Sequence, residues 1–205
     1  IVQIRLEARE LGRVDVRDYS GIILGGSPFN ASDPVKSPLQ LRVEADLVLM
    51  MDEVLDRDFP LFGACYGVGT VGTAIGARID DTYSEKPQVI EVSLVREDPL
   101  LEGMPETFHT MVGHKEAVAV LPDVATVLAT GRNCPTQMFR VQDNIYATQV
   151  HPELAPAQFE QRLRIYANAG YYEPHELDAI LAGTRGVDLT VDDRILRNFA
   201  TRYAR

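Results

Sequence analysis

The constraint that most narrows the fold lies in eight residues, Pro60-Leu61-Phe62-Gly63-Ala64-Cys65-Tyr66-Gly67. An apolar run that collapses into Gly-x-Cys-x-Gly reads as a buried strand turning sharply into a helix, with glycines on both sides relieving the crowding of such a turn. The turn pushes the Cys65 sulfur outward. It also sets the thiol beside a helix N-terminus, where unpaired N–H groups and the helix dipole favour the thiolate. The reading of Cys65 as an ordinary buried cysteine stands against this one.

A reactive thiol needs a base, and the base needs a third group to fix its tautomer. Eighty-six positions downstream the chain offers Gln149-Val150-His151-Pro152-Glu153. In extended backbone, residues two apart face the same side, so Glu153 can follow His151 toward one site. An exposed loop with no chemical role is the plainer explanation for that segment alone. Beside the cysteine turn, it is the weaker one.

Cys65-Tyr66-Gly67, the segment Gln149 to Glu153, and Gly25-Gly26-Ser27-Pro28 after the apolar Ile22-Ile23-Leu24 together resemble the class I glutamine amidotransferases, especially the glutaminase domain of GMP synthase. The likeness runs from about residue 20 to 154. It implies a flavodoxin-like α/β fold, an open and mostly parallel sheet with helices on both faces. It also implies a Cys-His-Glu triad that hydrolyses the side-chain amide of glutamine through a γ-glutamyl thioester and releases ammonia to an acceptor site. By the same resemblance Cys65 is the nucleophile, His151 the base and acid, and Glu153 the orienter. The backbone N–H groups of Gly26 and Tyr66 form the oxyanion hole, and Gly25 and Gly67 border the substrate.

Members of that family usually carry Gln four residues after the nucleophile, where it helps to bind glutamine; this chain has Gly69. Either another group holds the amino-acid end, or the pocket takes a different amide. A stand-alone amidase or γ-glutamyl peptidase is therefore an alternative, and a catalytically silent binding module is another. Gly113-His114-Lys115-Glu116-Ala117-Val118 resembles a further stretch of the GMP synthase glutaminase and places His114 in the pocket wall.

Gly67-Val68-Gly69-Thr70-Val71-Gly72 spells the dinucleotide fingerprint in form, but the acidic residue expected about 20 residues later is misplaced, since Asp80 and Asp81 come early. Packing of the helix on the sheet explains these glycines more simply, and no cofactor is expected. Cys65, Cys134, His109, His114 and His151 show no close metal-ligand spacing, so no metal is expected either. Two cysteines do not make a disulfide framework.

With 205 residues and 45% hydrophobic content the chain can bury one core, and reads as a single domain: a catalytic α/β core over 1–153 and a helical extension over 154–205. It carries neither a Walker loop nor the Ser-Gly-Gly-x-Asp-Ser loop of an ATP-pyrophosphatase, so a synthase acting on released ammonia is expected on another chain. A net charge of −10 argues against nucleic acid as a partner. No apolar stretch reaches the roughly 18 residues of a membrane span and no secretion signal opens the chain, so a cytoplasmic location is expected.

The coarse pattern alternates between strand and helix. Gly21–Leu24 reads as a buried strand. Ser37-Pro38-Leu39-Gln40 reads as a capping box opening a helix whose stripe is Val43, Leu47, Met50, Met51, Val54 and Leu55. Ile1–Arg9 holds no clean strand, and a first strand is expected upstream. Residues 88–95 and 117–121 read as strands, and 137–141 and 145–150 as a hairpin leading to His151. In the extension, Phe159, Leu163, Tyr166 and Ala167 form one stripe. Thr190-x-x-Asp193 caps a helix carrying Ile195, Leu196, Phe199 and Tyr203. Packing over the sheet edge is the expected role of these helices, with a homodimer contact or docking of a synthase as alternatives.

Overall fold

The computed structural model describes residues 1–12, 14–189, 191 and 193–204. A seven-stranded sheet forms the centre, in the order β1 (Ile22–Leu24), β2 (Leu61–Ala64), β9 (Ile145–Thr148), β8 (Met138–Val141), β7 (Ala125–Gly131), β4 (Glu85–Leu94) and β5 (Thr107–His114). The ladders β1–β2 and β2–β9 are parallel, and the other four are antiparallel. Followed across the sheet, β1, β2, β9, β7 and β5 point one way and only β8 and β4 the other, so the sheet is mostly parallel in direction. β3 (Arg78–Asp80) and β6 (Ala117–Val120) make a separate antiparallel pair.

Alternation along the strands divides the core into two faces. Leu61, Phe139, Ile145 and Ala147 pack with Val43, Leu47, Met51 and Val54 of α1 (Pro38–Arg57) and with Val68 and Val71 of α2 (Tyr66–Ala74). Their neighbours Phe62, Met138 and Tyr146 face the other way, against Ile195 and Phe199 of α5 (Asp193–Tyr203). The Phe62 and Phe199 rings lie 5.8 Å apart. Burying two side chains of this size contributes about 3 to 6 kcal/mol, so α5 is the second layer of the core. A third cluster joins Met111 of β5 to Leu154, to Phe159 and Leu163 of α3 (Pro156–Ile165), and to Tyr172; α4 (Leu177–Ala182) follows.

The α1 stripe is as the periodicity predicts, and Ser37 Oγ accepts from the Gln40 N–H at 3.1 Å. The reciprocal half of the capping box is absent: the Gln40 amide instead donates to the Asn30 carbonyl and to Glu44. The cap expected at Thr190 lies outside the described residues. β5 and β7 were not anticipated from the sequence. No described helix is long and apolar enough to cross a membrane.

Candidate active site

Cys65 is one of three described non-glycine residues with positive φ, at φ 55° and ψ −97°. Such a conformation costs about 1 to 3 kcal/mol and persists only where its surroundings enforce it. They do so here from both sides. The Cys65 N–H donates to the Thr148 carbonyl at 2.8 Å, which extends the β2–β9 ladder into the turn, and α2 begins at the next residue. Gly63 makes the turn sterically feasible, since a Cβ there would lie 3.0 Å from the Gly67 Cα.

The same ladder positions His151. β9 ends at Thr148, alongside the end of β2, and three residues later His151 lies beside Cys65 across Gly26. His151 Nδ1 lies 2.7 Å from Glu153 Oε1. A carboxylate only accepts, so Nδ1 carries the hydrogen and Nε2 is left for the sulfur. Burial on its own would push the imidazole down, but the Cys65 charge and hydrogen bond, together with Glu153, outweigh it and raise His151 to about 10. Burial likewise raises the Glu153 carboxyl, and the contact with His151, backed by Arg162, reverses this and holds it low. Cys65, distant in the chain, and the neighbouring His151 and Glu153 come together at one site.

Gly26 stands in the middle of this set. A Cβ there would come within 3.1 Å of His151 Cε1 and 3.5 Å of the Cys65 Cβ, so only glycine leaves the space beside the sulfur open. The Tyr66 N–H is at the first residue of α2 and has no acceptor inside the helix. A cavity opens here, bordered by Gly26, Ser27, Cys65, His151 and Gly113. Its outer wall comes from the extension: Phe159, Arg162 and Leu163 of α3, with Tyr166, Tyr171 and Tyr172 after it. Lys115 Nζ sits 4.6 Å above the Tyr171 ring and donates to the Ala169 carbonyl, fixing that tyrosine-rich turn.

Two expected substrate neighbours and one expected wall residue lie elsewhere. Gly25 and Gly67 do not border the cavity; Gly67 is buried under the Leu24 carbonyl, 3.3 Å from where its Cβ would be. His114 is turned into the core, where it meets Glu85 and the Glu116 carbonyl. The missing Gln at position 69 has a steric counterpart. A Cβ on Gly69 would lie 2.7 Å from Glu116 Oε1, a carboxylate that accepts from the Ala31 and Ser32 N–H groups and from Ser32 Oγ.

Arg162 was missed from the sequence. Its Nη1 lies 3.4 Å from Glu153 Oε1 and 3.3 Å from His151 Nδ1, at the cavity wall. The apolar stripe of α3 signalled only packing, and an arginine on the polar side of a short amphipathic helix looks like any solvated charge.

The chain is 30% identical over 146 residues to the glutamine-hydrolyzing GMP synthase of Thermosipho melanesiensis, covering 70% of this chain and 26% of that protein. It is 29% identical over 147 residues to a glutamine-hydrolyzing GMP synthase subunit from Methanobrevibacter smithii, covering 69% of this chain and 67% of that one. The chain thus spans about a quarter of the length of the full GMP synthases it matches. In structure it is similar to a glutamine amidotransferase from Thermotoga maritima, with a TM-score of 0.77 and 22% identity over 96% of this chain and 83% of that one. A glutamine amidotransferase from Methylobacillus flagellatus gives 0.64 and 18%, over 91% and 74%. Residues 1–165 match the family Glutamine amidotransferase class-I, and the chain belongs to that family.

Proposed function

We propose that the chain hydrolyses the side-chain amide of glutamine with Cys65 as nucleophile, His151 as base and acid and Glu153 as orienter, passing ammonia to a separate synthase chain. The observation that carries this reading is the strained Cys65 beside an imidazole whose Nδ1 is 2.7 Å from Glu153. The Cys65 thiolate attacks the amide carbon, and the carbonyl electron pair moves onto oxygen. The Gly26 and Tyr66 N–H groups stabilise that charge, a contribution of about 3 to 4 kcal/mol to the barrier for each such donor. Collapse breaks the C–N bond as His151 gives its proton to the leaving nitrogen, releasing ammonia and leaving a γ-glutamyl thioester. Water, losing a proton to His151, attacks the thioester and expels the thiolate with glutamate as product.

Arg162 takes the part of the absent glutamine side chain and holds the carboxylate of the amino-acid end. The Tyr171 phenol, pushed up chiefly by burial, stays a neutral donor nearby. Core and extension act as one unit, since the helices after residue 154 close the cavity. A reducing compartment such as the cytoplasm suits the free Cys65 and Cys134. The synthase partner rests on the relatives named as GMP synthase subunits, a name that describes one part of a larger enzyme. The alternative, a stand-alone amidase for another γ-glutamyl compound, is favoured by Gly69 and by the aromatic wall.

Diazo-oxo-norleucine, an electrophile shaped like glutamine, tests the reading by mass spectrometry of the folded protein. A single adduct on Cys65 with ammonia release from glutamine is expected. Turnover of γ-glutamyl peptides with little labelling selects the amidase, and no adduct with no turnover overturns both. Arg162→Ala should raise KM for glutamine about tenfold, with a smaller change in kcat.

A further inference from the structure

β4, β5 and the turn after β7 bring a second cysteine, histidine and glutamate together. Glu85, His114 and Cys134 are all buried, and their ligand atoms lie within 4.8 Å of one another. They come from positions 29 and 20 residues apart, which is why no spacing in the sequence marks them. His114 Nδ1 is 3.0 Å from the Glu116 carbonyl oxygen, an acceptor only, so Nδ1 carries the hydrogen. His114 Nε2 then turns a lone pair toward Glu85 Oε2 at 3.1 Å, and two such acceptors repel unless a cation or proton lies between them.

Gln137 adds a second, independent observation. It is fully buried, its Nε2 is 2.6 Å from the same Glu85 oxygen, and its Oε1 has no hydrogen-bond partner. An orphaned buried amide oxygen costs about 1 to 3 kcal/mol. A half turn of the amide exchanges its two ends: the oxygen then faces the Glu85–His114 contact, where a cation can hold it, while the donation to Glu85 is given up and the nitrogen takes the partnerless place. The cluster then presents a carboxylate oxygen, an imidazole nitrogen, an amide oxygen and a sulfur.

We propose that Glu85, His114 and Cys134, with the Gln137 carbonyl oxygen as fourth donor, bind one zinc ion. Thiolate and imidazole select zinc over the harder magnesium and calcium. A thiolate and a carboxylate against a divalent cation leave the buried site neutral, which removes the cost of enclosing isolated charges. Bonds of about 2.0 to 2.3 Å draw the donors inward from their present separation, with Cys134 moving on its turn. As the S–Zn bond forms, the S–H bond breaks and the proton leaves to solvent. Glu85 also borders an open groove with Gln88, Ile90, Thr130 and Gly131, which gives the ion a way in.

The test uses Cys65→Ser protein, so that the proposed active site cannot supply a thiolate. Elemental analysis after exposure to zinc and gel filtration should give about one zinc per chain. Cobalt(II) in its place should give a thiolate-to-cobalt charge-transfer band. Adding Cys134→Ser or His114→Ala should weaken binding at least about 100-fold. Should either variant misfold, the zinc-dependent rise in melting temperature of the folded Cys65→Ser protein decides instead. Zinc bound by the unsubstituted chain but not by Cys65→Ser, absence of the cobalt band, or retention of both in folded Cys134→Ser overturns the proposal. None of these outcomes depends on glutamine turnover, so the reading of the active site stands or falls separately.

Discussion

The molecule holds the same three residue types twice, and the two sets differ in everything that surrounds them. Cys65, His151 and Glu153 meet at the end of the parallel ladder, against an open cavity, with the thiol on a backbone turned to positive φ. Glu85, His114 and Cys134 meet inside the antiparallel half of the sheet. There burial pushes the Cys134 thiol up to about 12, even though a hydrogen bond with the Thr136 backbone works the other way. In the first set the carboxylate holds the imidazole hydrogen on the nitrogen facing away from sulfur. In the second, a backbone carbonyl takes that part and the carboxylate faces the bare nitrogen. The same residue types thus sit in opposite settings, set apart by strand-end position, an access route and the partner of each ring nitrogen.

The sharpest way to break this comparison is to remove the first thiol. Cys65→Ala should lower glutamine hydrolysis by about 10⁴-fold or more while far-ultraviolet circular dichroism is unchanged, because the side chain is small and its proposed role chemical. Ammonia release above a few per cent would move the chemistry elsewhere. Next comes alkylation of the native chain near pH 8. Cys65 should react with iodoacetamide at least about 10³-fold faster than Cys134, whose thiolate is scarce and enclosed. Peptide mapping showing equal rates would erase the distinction.

Glu153→Gln tests the orienting role proposed for that carboxylate and should cost about 10 to 100-fold in kcat, less than Cys65→Ala. The His151 proton gives a pH test whose sign is fixed. A folded value raised to about 10 from an ordinary 6.5 contributes stability that is fully present below pH 6.5 and fades as pH rises through 10. Urea midpoints should fall over that window, and the fall should shrink in Cys65→Ala. The smallest effect concerns Gly69. Gly69→Gln should destabilise by about 1 to 3 kcal/mol through its clash with Glu116, with no gain in glutamine affinity. A lower KM would show that the loop yields readily.

The elbow and its partner were legible because each is local. Eight residues spell a buried strand, a sharp turn and a helix start, and His151 and Glu153 are two apart. The α1 stripe was legible for the same reason, as periodicity within one helix. β5 was not: exposed and buried residues alternate only from Thr107 to Thr110, and the run Thr110, Met111 and Val112 is buried throughout. The cavity wall was hidden because Phe159 and Leu163 serve core and cavity at once, and the second cysteine cluster because its members share no element.

Glu116 belongs to both halves of the molecule. Its carbonyl oxygen fixes the tautomer of His114, and the Gln149 amide donates to the same oxygen at 3.4 Å. Its carboxylate fastens Ala31 and Ser32, on the segment that leads back to Gly26 beside the sulfur. One residue therefore serves as a tie-bar: its two oxygen-bearing groups pin the inner histidine on one side and, on the other, the stretch of backbone that continues toward the outer cysteine.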